Sequence, residues 1–171
     1  MITYFKGDAT VPQAAGPKVI THICNTLGGW GSGFVVAISN RWSEPERCYR
    51  EWHHRKKLEG LQLQQPTKGK ILTTTGDFKL GEVQLVQVLP DTYVLNMIAQ
   101  QGMGEGSSGP PIRYKALASC LYKARFFSDL LKATVHMPRI GCGLAGGRWE
   151  MVEPLVTEAF GETPVYCYDL K

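Results

Sequence analysis

Residues 135–150 constrain what this chain can fold into more than any other stretch. Val135, His136, Met137 and Pro138 run into a loop holding Gly141, Gly143, Gly146 and Gly147. The loop runs into Trp149, Val152, Leu155, Val156, Ala159 and Phe160, which fall at helical spacing. The order is strand, glycine-dense loop, helix. Glycine lets backbone N–H groups approach a ligand, because no Cβ stands in the way and positive φ carries no penalty. A helix start adds unpaired N–H donors and a partial positive charge. Four glycines within seven residues are more than a tight turn needs, so the stretch predicts a site for a phosphate or pyrophosphate.

A second segment repeats the pattern. Residues 18–24 read as a strand, mostly apolar with His22 inside it, and end at Asn25. Leu27, Gly28, Gly29, Trp30, Gly31, Ser32 and Gly33 follow, and then a helical pattern from Phe34 to about Asn40. Residues 2–5 read as a short strand, and residues 44–58 as an amphipathic surface helix with Pro45 in its first turn. Residues 70–74, 82–89 and 93–99 are β-rich runs punctuated by turn residues, which predicts a meander. The glycine- and serine-rich residues 101–109 predict a mobile loop. Residues 111–132 carry a helix stripe at Leu117, Leu121, Ala124, Phe127, Leu130 and Leu131, and residues 165–169 a closing strand. Alternating strands and helices predict one α/β domain over residues 1–171, a three-layer α/β/α sandwich on a mixed central sheet. Ligands of open α/β sheets sit beyond the carboxyl ends of the strands, so both glycine loops are expected to line one mouth.

Composition removes several function classes. A net charge of +4 with no long Lys/Arg block gives no footing for nucleic acid. The five cysteines form no C-x-x-C pair and the four histidines show no metal spacing, so neither a disulfide framework nor a metal site is expected, and no cofactor. No apolar run reaches the roughly 18 residues of a membrane helix, and no signal segment opens the chain. A cytoplasmic monomer without membrane contact is expected.

These residues together resemble a macrodomain, the ADP-ribose-binding fold, over essentially the whole chain. Gly7-Asp8 after the first strand resembles the family's adenine-reading aspartate. His22-Ile23-Cys24-Asn25 with Gly31-Ser32-Gly33 resembles the first ligand loop, and Pro138-Arg139-Ile140-Gly141-Cys142-Gly143-Leu144 the second. The aromatic strand around Tyr166 and Tyr168 fits as well. The nearest branch holds the terminal ADP-ribose protein glycohydrolase and the yeast-type ADP-ribose-1''-phosphate phosphatase. The glycohydrolase carries a catalytic lysine and aspartate where this chain has Gln100 and Ala145, so a lysine adduct is not available here.

The resemblance implies binding of ADP-ribose and of ADP-ribosylated proteins. Asp8, with Ala9 beside it, is expected to read the adenine amino group, since a carboxylate only accepts hydrogen bonds. Gly31, Ser32 and Gly33, together with Gly141, Cys142, Gly143, Leu144 and Ala145, are expected to hold the diphosphate and distal ribose. Trp30 is expected either to cover the ribose or to be core, and Tyr168 either to stack on adenine or to pack inside. Asn25 and His22 are the candidate catalytic residues: Asn25 as a ribose or water contact, His22 as a general base. Strand alternation places His22 and Cys24 on one face and Ile23 and Asn25 on the other. The implied activity is release of mono-ADP-ribose from Glu/Asp esters. A phosphatase on ADP-ribose-1''-phosphate and a non-catalytic reader are the alternatives. Cys142 and Arg148 also share the C-x5-R spacing of cysteine phosphatases, although Gly141 and Trp149 break that motif.

Overall fold

The computed structural model describes residues 1–55, 70–104 and 109–170, and the backbone alone of residues 62–64. The chain order is β1 (Ile2–Lys6), β2 (Lys18–Asn25), α1 (Phe34–Ser39), α2 (Glu44–Arg55), β3 (Gln62–Gln64), β4 (Leu72–Thr74), β5 (Val83–Leu89), β6 (Thr92–Gln100), α3 (Tyr114–Leu131), β7 (Thr134–Pro138), α4 (Trp149–Phe160) and β8 (Val165–Asp169). One sheet contains all the strands in the order β1-β8-β7-β2-β6-β5-β4-β3. The run from β1 to β6 is parallel and the run from β6 to β3 antiparallel. This is the mixed sheet expected from the sequence, with the meander at its far side.

The most apolar strands lie where both faces are covered. β6 is buried along its length until Gln100, and β2 is buried apart from Lys18 and Ile23. Helices α3 and α4 pack on one face, with Leu117, Leu121, Val152 and Val156 against Val19, Leu95, Val135 and Met137. Helices α1 and α2 cover the other, with Ile38 and Tyr49 against Ile20 and Val94, and Trp52 against Ile98. Acidic Glu44 and Glu46 open α2, and His53, His54 and Arg55 close it, which complements the helix dipole at both ends.

Two elements differ from expectation, and parts of two further expectations lie outside the described residues. Residues 56–58, assigned to α2 from sequence, fall outside the described residues, as do residues 105–108 of the expected loop. Strand β3 carried no sequence signal. Helix α3 begins at Tyr114 rather than Pro111. Pro110 and Pro111 bias the residues before them away from helix, and Ile112 forms an antiparallel bridge with Gln100 instead.

The parallel strands β1, β8, β7, β2 and β6 all finish on one edge, at Lys6, Asp169, Pro138, Asn25 and Gln100. The β2–β6 ladder slips just before that edge: Cys24 faces Ile98, but Asn25 faces Gln100. Side chains alternate as expected through Cys24, with His22 against Trp30 and Phe34 and Ile23 in the α3/α4 core. The slip then lets Asn25 reach α2, so it does not share the face of Ile23.

Candidate functional site

Both glycine loops line one cleft of about 600 Å³ at that edge. Residues 22–25, Gly29 to Val35, Gln100, Met103, Gly104 and residues 138–141 and 143–145 form its walls. The loops meet across its mouth, where an added Cβ at Gly33 would lie 3.3 Å from Leu144 Cδ1. Among the described residues, the backbone N–H groups of Gly31, Ser32, Gly33, Gly143, Leu144 and Ala145 find no acceptor in the protein. All but Ala145 belong to exposed residues, so these donors are open to solvent, and a group of them lining one concavity is suited to anionic oxygens. Surface depressions also lie beside α3 and at the end of α2, lined by side chains such as Tyr122 and Phe126, or Arg50 and His54.

The first turn of α1 borders the cleft, and its N-cap Gly33 supplies no side-chain cap. The start of α4 does not. Its N-cap Arg148 donates its backbone N–H to Tyr114 Oη at 3.2 Å, and residues 146–149 are absent from the cleft walls. The second loop therefore contributes its own backbone, and the helix-start donors come from α1.

Asn25 closes the first loop. Its Oδ1 accepts from Leu27 N at 2.9 Å, Gly29 N at 3.0 Å and Tyr49 Oη at 3.1 Å, while Nδ2 donates to Gly29 O at 3.0 Å. The carbonyl oxygen is saturated, so it cannot accept a proton from water. One Nδ2 hydrogen remains for a ligand.

His22 lines the floor of the cleft but is only 2 % exposed, with Nε2 2.5 Å from Asn96 Oδ1. Asn96 Nδ2 donates onward to Pro45 O and to Gln84 Oε1, and Gln84 Nε2 to Cys48 O. This chain of donors requires the Nε2–H tautomer, because Asn96 Nδ2 is already donating. Burial pushes the imidazole pKa down to about 4, partly offset by the Asn96 contact. The ring is neutral at pH 7 and holds Trp30 edge-on at 5.2 Å. Trp30 is 5 % exposed and donates Nε1–H to Ser39 Oγ at 2.7 Å, so it is core that forms a wall rather than a cover.

Asp8, Ala9, Cys142 and Tyr168 are not among the cleft walls. Asp8 Oδ1 takes the Thr10 N–H at 2.8 Å and the Thr10 hydroxyl at 2.7 Å, and Oδ2 lies 3.8 Å from Arg41. The carboxylate keeps acceptor capacity on its exposed side. Ala9 is buried. Tyr168 is buried under Phe5, 5.7 Å between rings, and its hydroxyl links Gln13 N to His136 Nδ1. It has no free face for a base. The Cys142 thiol donates to Ile140 O, and burial pushes its pKa up. Arg148 pairs with Glu150 at the surface. A cysteine-phosphatase arrangement is therefore absent: the thiol is protonated and the arginine faces elsewhere.

Two contributors, Met103 and Tyr49, were missed from sequence, and a third, Arg139, was named in the second loop without a role of its own. Met103 sits on Gly29, where an added Cβ would lie 2.5 Å from its sulfur. Tyr49 Oη donates to the Asn25 backbone carbonyl at 2.5 Å. Arg139 borders the cleft, is held bidentately by Asp169 at 2.5 and 2.8 Å, and lies over the rings of Tyr4 and Trp149 at 5.2 and 5.3 Å. None has a local sequence signal, because each partner lies far along the chain. Gln100 and Ala145 do line the cleft, as the resemblance implied.

No family model matches the chain. Solved structures and curated proteins do. A Bacteroides thetaiotaomicron protein of unknown function is 47% identical, with a TM-score of 0.86 and coverage of 99% of this chain and 98% of that one. A macrodomain protein from Streptomyces coelicolor is 44% identical, with a TM-score of 0.79 and 99% of each chain covered. The ADP-ribose 1''-phosphate phosphatase of Candida albicans is 28% identical over 92% of this chain and 93% of its own. Among the described residues, no helix is long and apolar enough to cross a membrane. With its whole length matched at this identity, its mixed sheet and its two-loop cleft, the chain belongs to the macrodomain family.

Proposed function

We propose that this protein binds ADP-ribose and hydrolyses mono-ADP-ribose from modified proteins, acting on Glu/Asp esters. The observation that carries the reading is the convergence of unpaired N–H groups from both loops on one cleft. The diphosphate lies against these donors. The adenine end points toward Asp8, and the distal ribose toward Asn25, Gln100 and Met103. The macrodomain relatives support this family-level chemistry.

Among the described residues, the cleft walls carry no carboxylate and no lysine. Neutral His22 and saturated Asn25 leave no strong base among the described cleft residues, and on these residues the chemistry rests on orientation. Holding a water and an ester carbon at reactive distance supplies about 7–11 kcal/mol at best. The remaining Asn25 N–H donor fixes a ribose hydroxyl, and the ligand's own phosphate accepts the water proton. An ester is labile enough for such a catalyst; the O-glycosidic acetal to serine is not. Incubation with glutamate-linked and serine-linked ADP-ribosylated protein should release ADP-ribose from the first alone. Equal inertness toward both would leave a reader of ADP-ribose.

The phosphatase reading has one specific support, the Candida albicans relative. It requires phosphate release from ADP-ribose-1''-phosphate that is lost in His22→Ala while ADP-ribose still binds.

A further inference from the structure

The connection between β6 and α3 touches both loops. Its first arm, residues 100–104, grips the first loop: Gly102 N donates to Thr26 Oγ1 at 2.9 Å, and Met103 rests on Gly29. Its second arm, residues 109–113, grips the second: Ile112 N donates to Ala145 O at 3.1 Å, and Pro110 lies 2.8 Å from where a Gly146 Cβ would be. The two arms are fastened to each other by Gln101 N to Pro111 O at 2.8 Å and by the Gln100–Ile112 bridge.

Ile112 is the centre of this clasp. Its Cδ1 lies 2.5 Å from the Cβ position of Gly141 and 2.8 Å from that of Gly147. Those two glycines are hydrogen-bonded to each other, Gly147 N to Gly141 O at 2.7 Å. The methyl therefore occupies space that only glycine at both positions leaves open, and it is 5 % exposed. The same residue is tied through its backbone to β6 and to Ala145.

We propose that Ile112 is a positioning residue that sets the distance between the two loops, and so selects ligands long enough to engage both. It touches no ligand; it holds the Gly143–Ala145 donors in register with the Gly31–Gly33 donors. The inference rests on the ADP-ribose reading of the cleft. A ligand engaging both loops then depends on the clasp, whereas one reaching only the Asp8 end does not.

The test is calorimetric titration of the intact protein and of Ile112→Val with ADP-ribose and with AMP. Valine removes only the Cδ1 methyl, so the fold is retained, and a thermal melt checks it. Thr26→Val, at the surface-side grip of the first arm, is the second variant. Each variant should weaken ADP-ribose binding about tenfold through lost preorganisation while AMP binding stays within about twofold. Unchanged ADP-ribose affinity in both variants, or equal weakening of both ligands, overturns the inference and leaves the ligand reading standing. Failure of the unsubstituted protein to bind ADP-ribose overturns the ligand reading, and this inference with it.

Discussion

The loop after β2 is held by side chains that reach into it, whereas the loop after β7 is held by its own backbone and by the absence of side chains. In the first loop, Asn25 makes four hydrogen bonds, Arg50 donates to Gly28 O at 2.8 Å, and Tyr49 and Trp30 are anchored from helices. In the second, Cys142 N, Gly146 N and Gly147 N bond to Arg139 O, Gly143 O and Gly141 O within the loop. Its glycines then accept Ile112, Ile23 and Pro110 at distances that no Cβ permits. Two loops lining one cleft can thus reach rigidity by opposite means. The first is sensitive to the loss of polar atoms, the second to the gain of a methyl group.

Acid should have the largest effect, and it should act through the strands that feed both loops, β2 with His22 and β7 with His136. His22, beneath the first loop, and His136, between Thr134 and Tyr168, have pKa values pushed from 6.5 to about 4 by burial. Above pH 6.5 both folded and unfolded chains are neutral at these sites. As pH falls, the unfolded chain protonates first, so stability is lost between about pH 6.5 and 4, by about 3 kcal/mol for each histidine and about 6 together. Denaturant midpoints measured across that range check the slope. Neither loop itself contains a histidine, so amide exchange in both should rise together with global unfolding.

Asn25→Ala should cost about 3 kcal/mol, because it strips partners from two loop N–H groups and a loop carbonyl. Urea unfolding reads this directly; a loss under 1 kcal/mol would mean that the clamp is not what holds the first loop. Gly147→Ala places a Cβ 2.5 Å from the Gly141 carbonyl oxygen, backbone that cannot swing aside. It should lower ADP-ribose affinity about 100-fold by displacing the second loop. Gly143→Ala, whose Cβ meets nothing within 4 Å, should leave the melting temperature unchanged. Cys142→Ser should change turnover by less than about twofold, since the thiol is protonated and bonded to Ile140 O. A collapse of turnover in that variant would reinstate a thiolate nucleophile.

The same contrast explains what was legible in the sequence. The second loop announces itself, because a requirement for missing side chains is written locally as Gly141, Gly143, Gly146 and Gly147. The layered fold and the shared mouth followed from the alternation of strand and helix patterns. The first loop's rigidity was hidden: an asparagine at a strand end gives no sign that Tyr49, on a later helix, will bond to it. The expected alternation at Asn25 failed because the β2–β6 ladder slips there, and a register slip has no local signature. His22 read as a possible base because the burial that keeps it neutral comes from other elements, Trp30 and Phe34 among them. Tyr168 read as a possible base-stacking ring because Phe5 and His136 cover it only after the sheet assembles.

The central claim is that both loops hold a single diphosphate, and amide resonance shifts on titration with ADP-ribose test it most directly. The amides of Gly31, Ser32 and Gly33 and those of Gly143, Leu144 and Ala145 should shift together along one saturation curve. Shifts confined to one loop, or two curves with different midpoints, would contradict it.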